Sequence, residues 1–147
     1  MALNIEKKIE TAWKTTIAAD TYITTNNIPV YGWRDVSHVA PQKCVVVKAG
    51  ACENENNVSG TPGILFKCEV EIFAVSYTPD DKSRAALEAI YQAILGVTNT
   101  VTKATLNTNS TGGIAFCGFS QGAGTEADEE RVQMISTKVE CHVQSTS

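Results

Sequence analysis

Apolar residues recur along this chain in two rhythms, and the change from one to the other marks the elements. From Gly63 to Tyr77, Phe66, Cys68, Val70 and Ile72 alternate with Lys67, Glu69 and Glu71. A period of two belongs to a strand with one apolar and one wet face. From Phe73 to Tyr77 apolar residues fall on both faces, so this end of the strand is expected to be covered on both sides. Thr78-Pro79-Asp80-Asp81 then opens a helix. Thr78 can cap it, Pro79 suits the first helical position, and the two aspartates favour the positive end of the helix dipole. Its apolar stripe is Leu87, Ile90, Tyr91 and Ile94, and Gly96 is placed to end it.

The same reading extends to the rest of the chain. Ile5, Ile9, Trp13 and Ile17 are spaced for one helical face and predict a helix over 4–23, which Asn26-Asn27-Ile28-Pro29 ends. Val30 to Trp33 reads as a short strand and Asp35 to Pro41 as a link, because proline disfavours helix before it. Lys43 to Lys48 is an uninterrupted apolar run between lysines, the pattern of a strand buried on both faces. Ala49 to Pro62, rich in Asn, Glu, Gly and Ser, reads as a loop. Val97 to Asn109 mixes alternating threonines with turn formers and fits neither rhythm. Gly113 to Phe119 is a further strand, with Ile114, Phe116 and Gly118 expected on one side, and Ser120 to Glu130 a polar loop. The last strand, Val132 to Gln144, sends Ile135, Thr137, Val139, Cys141 and Val143 one way and Met134, Ser136, Lys138, Glu140 and His142 the other. Strands that follow one another without helices between them pair antiparallel. The expectation is an α+β fold in one domain over 1–147: a mostly antiparallel sheet of about five strands with two helices packed on one face. The other face must be wet, or must meet another subunit.

Composition narrows the function. A chain of 147 residues buries roughly 68–70% of its unfolded surface and folds without a staple. Its net charge of −4 and pI near 5.1 suggest no duplex-binding face. No apolar run is long enough to span a bilayer and no signal-peptide pattern opens the chain, so a soluble, cytoplasmic product is the default. Of Cys44, Cys52, Cys68, Cys117 and Cys141, none forms a C-x-x-C pair, so zinc is not expected. Four of them lie in strand-like runs, where cysteine acts as a small buried hydrophobe, and the odd count argues against a disulfide scaffold.

One motif invites a catalytic reading. Gly118-Phe119-Ser120-Gln121-Gly122 matches G-x-S-x-G, the nucleophile elbow of α/β-hydrolases, and Asp128 and His142 follow in the order those enzymes use. The local match resembles cutinases and small esterases. The elbow, however, needs an apolar helix behind it, and Ala-Gly-Thr-Glu-Ala-Asp-Glu-Glu offers none. Ser120 and Asp128 stand too close to enclose a helix and a return strand, and no parallel βαβ pattern precedes the motif. A glycine-rich turn at the sheet edge is the plainer reading. His38 and His142 are the only histidines, one in a link and one on a wet strand face, and do not suggest a shared metal. Asn54, Glu55, Asn56 and Asn57 lack the spacing of a calcium loop. Trp13 and Trp33 read as core anchors, since no basic residues cluster around them. No catalytic residue, metal or cofactor is expected.

The order of elements resembles the tail-terminator and tail-completion proteins of long-tailed bacteriophages, small ring-forming virion proteins. The features that carry the resemblance are the first helix followed by Ile28-Pro29-Val30-Tyr31, the strand entered from Pro41 to Val47, and the long strand ending in Val75-Ser76-Tyr77-Thr78-Pro79-Asp80. The helix with Leu87, Ile90 and Ile94 and two closing strands complete it. The resemblance implies a non-enzymatic homo-oligomeric ring, usually a hexamer, at the head-proximal end of a tail. Such a ring stops tube growth, meets the tail tube protein and the head connector, and lets genomic DNA pass without reading it. It implies a product made in the host cytoplasm and carried in the virion neck. Glu53, Asn54, Glu55, Asn56 and Asn57 in one loop, and Glu126, Asp128, Glu129 and Glu130 in another, are the candidate contacts to neighbouring subunits or rings. Two other classes stay open: a small non-enzymatic α+β binding module, and a serine hydrolase using Ser120.

Overall fold

A computed structural model of the chain describes residues 5–32, 43–50, 53–54, 65–76, 81–110, 114–122, 126–129 and 132–145. Trp33, His38, the Asp35–Pro41 link, Cys52, Glu55, Asn56, Asn57, Tyr77 to Asp80 and Glu130 lie outside them.

The helix expected over 4–23 is two helices. In α1 (Ile5–Ala18), Ile9, Trp13 and Ile17 of the predicted stripe are fully buried, with Ala12 buried beside them. The chain then breaks, and Asp20 starts α2 (Thr21–Thr25): its Oδ2 accepts the backbone N–H of Tyr22 at 3.0 Å and of Ile23 at 3.3 Å. A short carboxylate satisfies the free amides at a helix start better than it serves a helix interior, which is why one continuous helix gives way here. Asn27, at φ 53°, takes the left-handed conformation that asparagine tolerates and turns the chain into β1 (Val30–Gly32).

The sheet is mixed and mostly antiparallel. β1 pairs parallel with β2 (Lys43–Ala49). β2 pairs antiparallel with β4 (Leu65–Ser76), β4 with β7 (Val132–Ser145), and β7 with β5 (Ile114–Gly122). The order across the sheet is β1-β2-β4-β7-β5. Two short strands lengthen it where loops were expected. β3 (Glu53–Asn54) lies along β4 at Lys67 and Phe66, and β6 (Glu126–Glu129) along β7 from Ile135 to Val132. Both are polar segments that pair through the backbone, an interaction with no hydrophobic period to announce it. β5 likewise runs on to Gly122, past the expected end at Phe119.

α3 (Asp81–Thr100) also outlasts its expected stop. It passes through Gly96, because Val97 extends the stripe of Leu87, Ile90 and Ile94 into the core. The undecided stretch after it is α4 (Lys103–Asn109), started by Thr102, whose hydroxyl accepts the Thr105 N–H at 3.2 Å, and anchored by the fully buried Leu106. The described chain thus has four helices where two were expected, all contributing to one layer on one face. Beneath that layer lie Val45 and Val47 of β2, Cys68, Val70, Ile72 and Ala74 of β4, and Ile135, Val139, Cys141 and Val143 of β7. The opposite face carries a smaller apolar cluster of Cys44, Val46 and Val75, with Tyr31, Phe73 and Met134 against it. The apolar runs in β2 and late β4 therefore are buried on both faces, as their sequence requires.

The cysteines divide three ways. Cys44 and Cys141 are buried free thiols and Cys117 is an exposed one. Cys68 is disulfide-bonded, which corrects the reading of the strand cysteines as inert hydrophobes alone.

Candidate functional site

The helix-free face of β4 and β7 carries the charges. Antiparallel register sets Lys67 opposite His142, Glu69 opposite Glu140 and Glu71 opposite Lys138. Two carboxylates facing each other across a ladder repel. Here each has a lysine on its diagonal: Lys138 Nζ lies 3.7 Å from Glu69 Oε1, and Lys67 Nζ 3.8 Å from Glu140 Oε2. His142 Nε2 stands 3.1 Å from the other oxygen of Glu140, and Ser136 Oγ donates to Glu71 Oε2 at 2.8 Å. These side chains are part-exposed, apart from the buried Ser136, so the lattice neutralises itself while staying wet.

β5 joins this face by way of a bulge. Phe116 pairs with Val143 and Gly118 with His142, leaving Cys117 as the extra residue. The bulge reverses the alternation. Gly118 passes to the wet face, contrary to its expected place beside Ile114 and Phe116, and Phe119 takes the core face opposite Cys141. There it meets Trp13 edge-on, with ring centroids 5.6 Å apart and planes at 88°. Ser120 is opposite Glu140, and Gly122 opposite Lys138. The G-x-S-x-G motif therefore lies within an edge strand, followed by β6, where a hydrolase elbow turns sharply into a helix. Ser120 is exposed and shares a face with Glu140 and His142. Asp128, which the hydrolase reading needed, pairs with Gln133 at the far end of β7.

The candidate contact residues separate into two strand segments. Glu53 and Asn54 sit in β3 on the β2 side of β4. Glu126, Asp128 and Glu129 sit in β6, on the β5 side of β7. The acids of the second group are thus held on a strand, not carried on a free loop. Among the described residues no group of three or more His, Cys, Asp or Glu is placed to hold a metal ion. No helix among them is long and apolar enough to cross a membrane. A cavity of about 300 Å³ opens between α2 and α3, lined by Tyr22, Asn26, Ile28, Lys43 and Ile90 among others. Among the described residues that line it, Lys43 is the charged one. The wet-face lattice and the bulge of β5 had no signal in the sequence beyond alternation, because both depend on register.

No protein-family profile matches the chain, and no curated protein is similar to it in sequence. Its fold does match solved structures. A chain from the virion of a native gene transfer agent particle superposes with a TM-score of 0.60 at 14% identity, over 92% of this chain and 94% of that one. A second solved structure, without a functional description, matches with a TM-score of 0.57 at 13% identity, over 97% of this chain and 94% of the other. At such identities the likeness is one of fold, and it extends over nearly the whole length of each chain.

Proposed function

We propose that this protein is a virion structural component that forms a ring, a hexamer, at the head-proximal end of a phage-like tail. There it ends tube growth and joins the tail to the head connector. The observation that supports this most is the end-to-end fold likeness to a chain of a gene transfer agent virion. The distribution of charge is compatible with it. The wet face holds both its lysines beside carboxylates, and a chain of net charge −4 gives passing DNA little to hold. In this reading the partners are further copies of the chain, the tail tube protein and the connector, and the protein does no bond-breaking chemistry.

The decisive experiment is electron microscopy of particles assembled without this protein, beside images of the purified protein. Overlong or headless tails, restored by adding the protein back, are the expected outcome. Normal tails of fixed length in its absence would end this reading. Ser120 faces Glu140 and shares its side of the sheet with His142, so the hydrolase alternative gets its own check. Incubation with a serine-directed phosphonate is expected to leave Ser120 unlabelled.

A further inference from the structure

Among the described residues the outer edge of β5 is covered along only part of its length. At the bulge, α4 lies over it: the Phe116 N–H donates to Asn107 Oδ1 at 2.6 Å, and Lys103 Nζ donates to the Cys117 carbonyl at 3.4 Å. Beyond the bulge, Gly118–Gly122 pairs, among the described residues, with β7 on one side only. In an antiparallel ladder every second residue directs its N–H and C=O away from its partner, so this stretch presents a row of free backbone groups that templates another strand. The G-x-S-x-G alternation keeps that row accessible. Gly118, Ser120 and Gly122 all register on the wet face, opposite His142, Glu140 and Lys138. A Cβ at Gly118 would meet nothing within 4 Å, so packing inside the subunit does not call for glycine there. Glycine within a strand weakens it, and is at home where a second backbone comes close.

The far edge of the same sheet supplies the complement. Among the described residues β1 pairs only with β2. It runs parallel to β2, while direction reverses at each step from β2 to β4, to β7 and to β5. β1 and β5 therefore run in opposite senses. A second copy placed with its sheet continuing the first, helices on the same side, lays its β1 antiparallel to β5. The faces agree as well: Tyr31 registers with Val46 of the helix-free cluster, and Ser120 with Glu140 of the wet face.

We propose that Gly118–Gly122 of one subunit receives β1 of the next as an added strand, making a seam between copies of this chain. The contact joins opposite edges and so is heterologous, the type from which closed rings are built. It deepens the ring reading and rests on it. The test places cysteines at Tyr31 and Ser120 together, in full-length protein with Cys117→Ser, and oxidises the assembly mildly. A ladder of covalent multimers up to the ring is expected on non-reducing gels. Covalent dimers from Ser120→Cys alone, with nothing larger from the pair, would mean that β5 meets its own copy, which overturns the seam. A ring by native mass with no cross-link overturns the seam and leaves the ring standing. A wild-type chain that stays monomeric, free and on tail tubes, overturns both. Ser120→Lys, which puts a charge on the exposed edge, is expected to abolish multimers without lowering the melting temperature, whereas Thr105→Lys on exposed α4 keeps them.

Discussion

Trp13 shows how one side chain joins the two layers. Fully buried on α1, it donates its indole Nε1–H to Cys141 Sγ on β7 at 3.3 Å and takes the edge of Phe119 from β5. Its place in the core was legible from the helical stripe, but its sulfur partner was not, because that contact spans 128 positions of sequence. Trp13→Ala is expected to cost about 3–5 kcal/mol, read as a lower urea midpoint. The same contact carries a pH dependence. Burial pushes the Cys141 thiol from 9.0 up to about 12; the Trp13 hydrogen bond pulls it partly back, and Glu140 raises it further. Burial alone pushes Cys44 up to about 11. In both, the folded state holds its proton more tightly than the unfolded chain does. Their contribution is therefore complete below pH 9.0, and it is lost as pH rises from there toward the folded values of about 11 and 12. Each thiol adds a slope of about 1.4 kcal/mol per pH unit in that window. Unfolding free energies measured across it are expected to fall less steeply for Cys141→Ala than for wild type. An unchanged slope would remove Cys141 from the account.

At the scale of elements, Gly96 and Asp20 make opposite predictions. Gly96 lies inside α3 without a positive φ, and a Cβ there would meet nothing within 4 Å. Gly96→Ala is therefore expected to stabilise by about 1 kcal/mol, the helix-propensity difference, seen as a raised melting temperature. Asp20→Ala removes the acceptor for two amides of α2 and is expected to cost about 1 kcal/mol, while Asp20→Asn keeps most of the cap. Together these positions mark where the sequence was legible. Elements with a sustained apolar period were read with their faces correct: Ile9 to Ile17, Val45 to Val47, Phe66 to Ile72, Ile135 to Val143. Their ends were not, because a glycine or an aspartate is punctuation only when tertiary packing permits the break. Gly96 reads as a stop, yet Val97 beyond it has a core to enter; Asp20 falls inside the helix expected over 4–23, yet it caps the start of a second helix. α4 was hidden because Leu106 is its one buried apolar residue, too few to set a period. β3 and β6, the segments that hold the described candidate contacts, were hidden because a polar strand pairs through its backbone with no apolar period to show it.

For the whole molecule, the arrangement of charge matters more than its amount. Lys67, Glu69, Glu71, Lys138, Glu140 and His142 fall on the one face without helices; each lysine lies close to a glutamate, and the His142 ring lies 3.1 Å from Glu140. Exposed pairs of this kind add little to stability, so their main consequence is the field they leave: both lysines are held beside carboxylates, and the glutamates outnumber them. Added to a net charge of −4, this means that the helix-free face of the described sheet gives phosphates no unpaired lysine to condense on. A duplex titrated with the purified protein at low salt is accordingly expected to show no saturable binding by fluorescence polarisation. Binding that weakens steeply with salt would reveal a basic surface and contradict the picture of a neck through which DNA slides. The face itself can be tested. Replacing Glu69→Lys and Glu140→Lys leaves Lys67 and Lys138 without their anions and makes the centre of the face positive. That variant is expected to gain duplex binding whose logarithm falls with log salt at a slope of about −0.9 for each phosphate engaged. If it gains none, DNA indifference arises elsewhere than in this lattice, and the two lysine–glutamate diagonals serve only to keep Glu69 and Glu140 from repelling each other across β4 and β7.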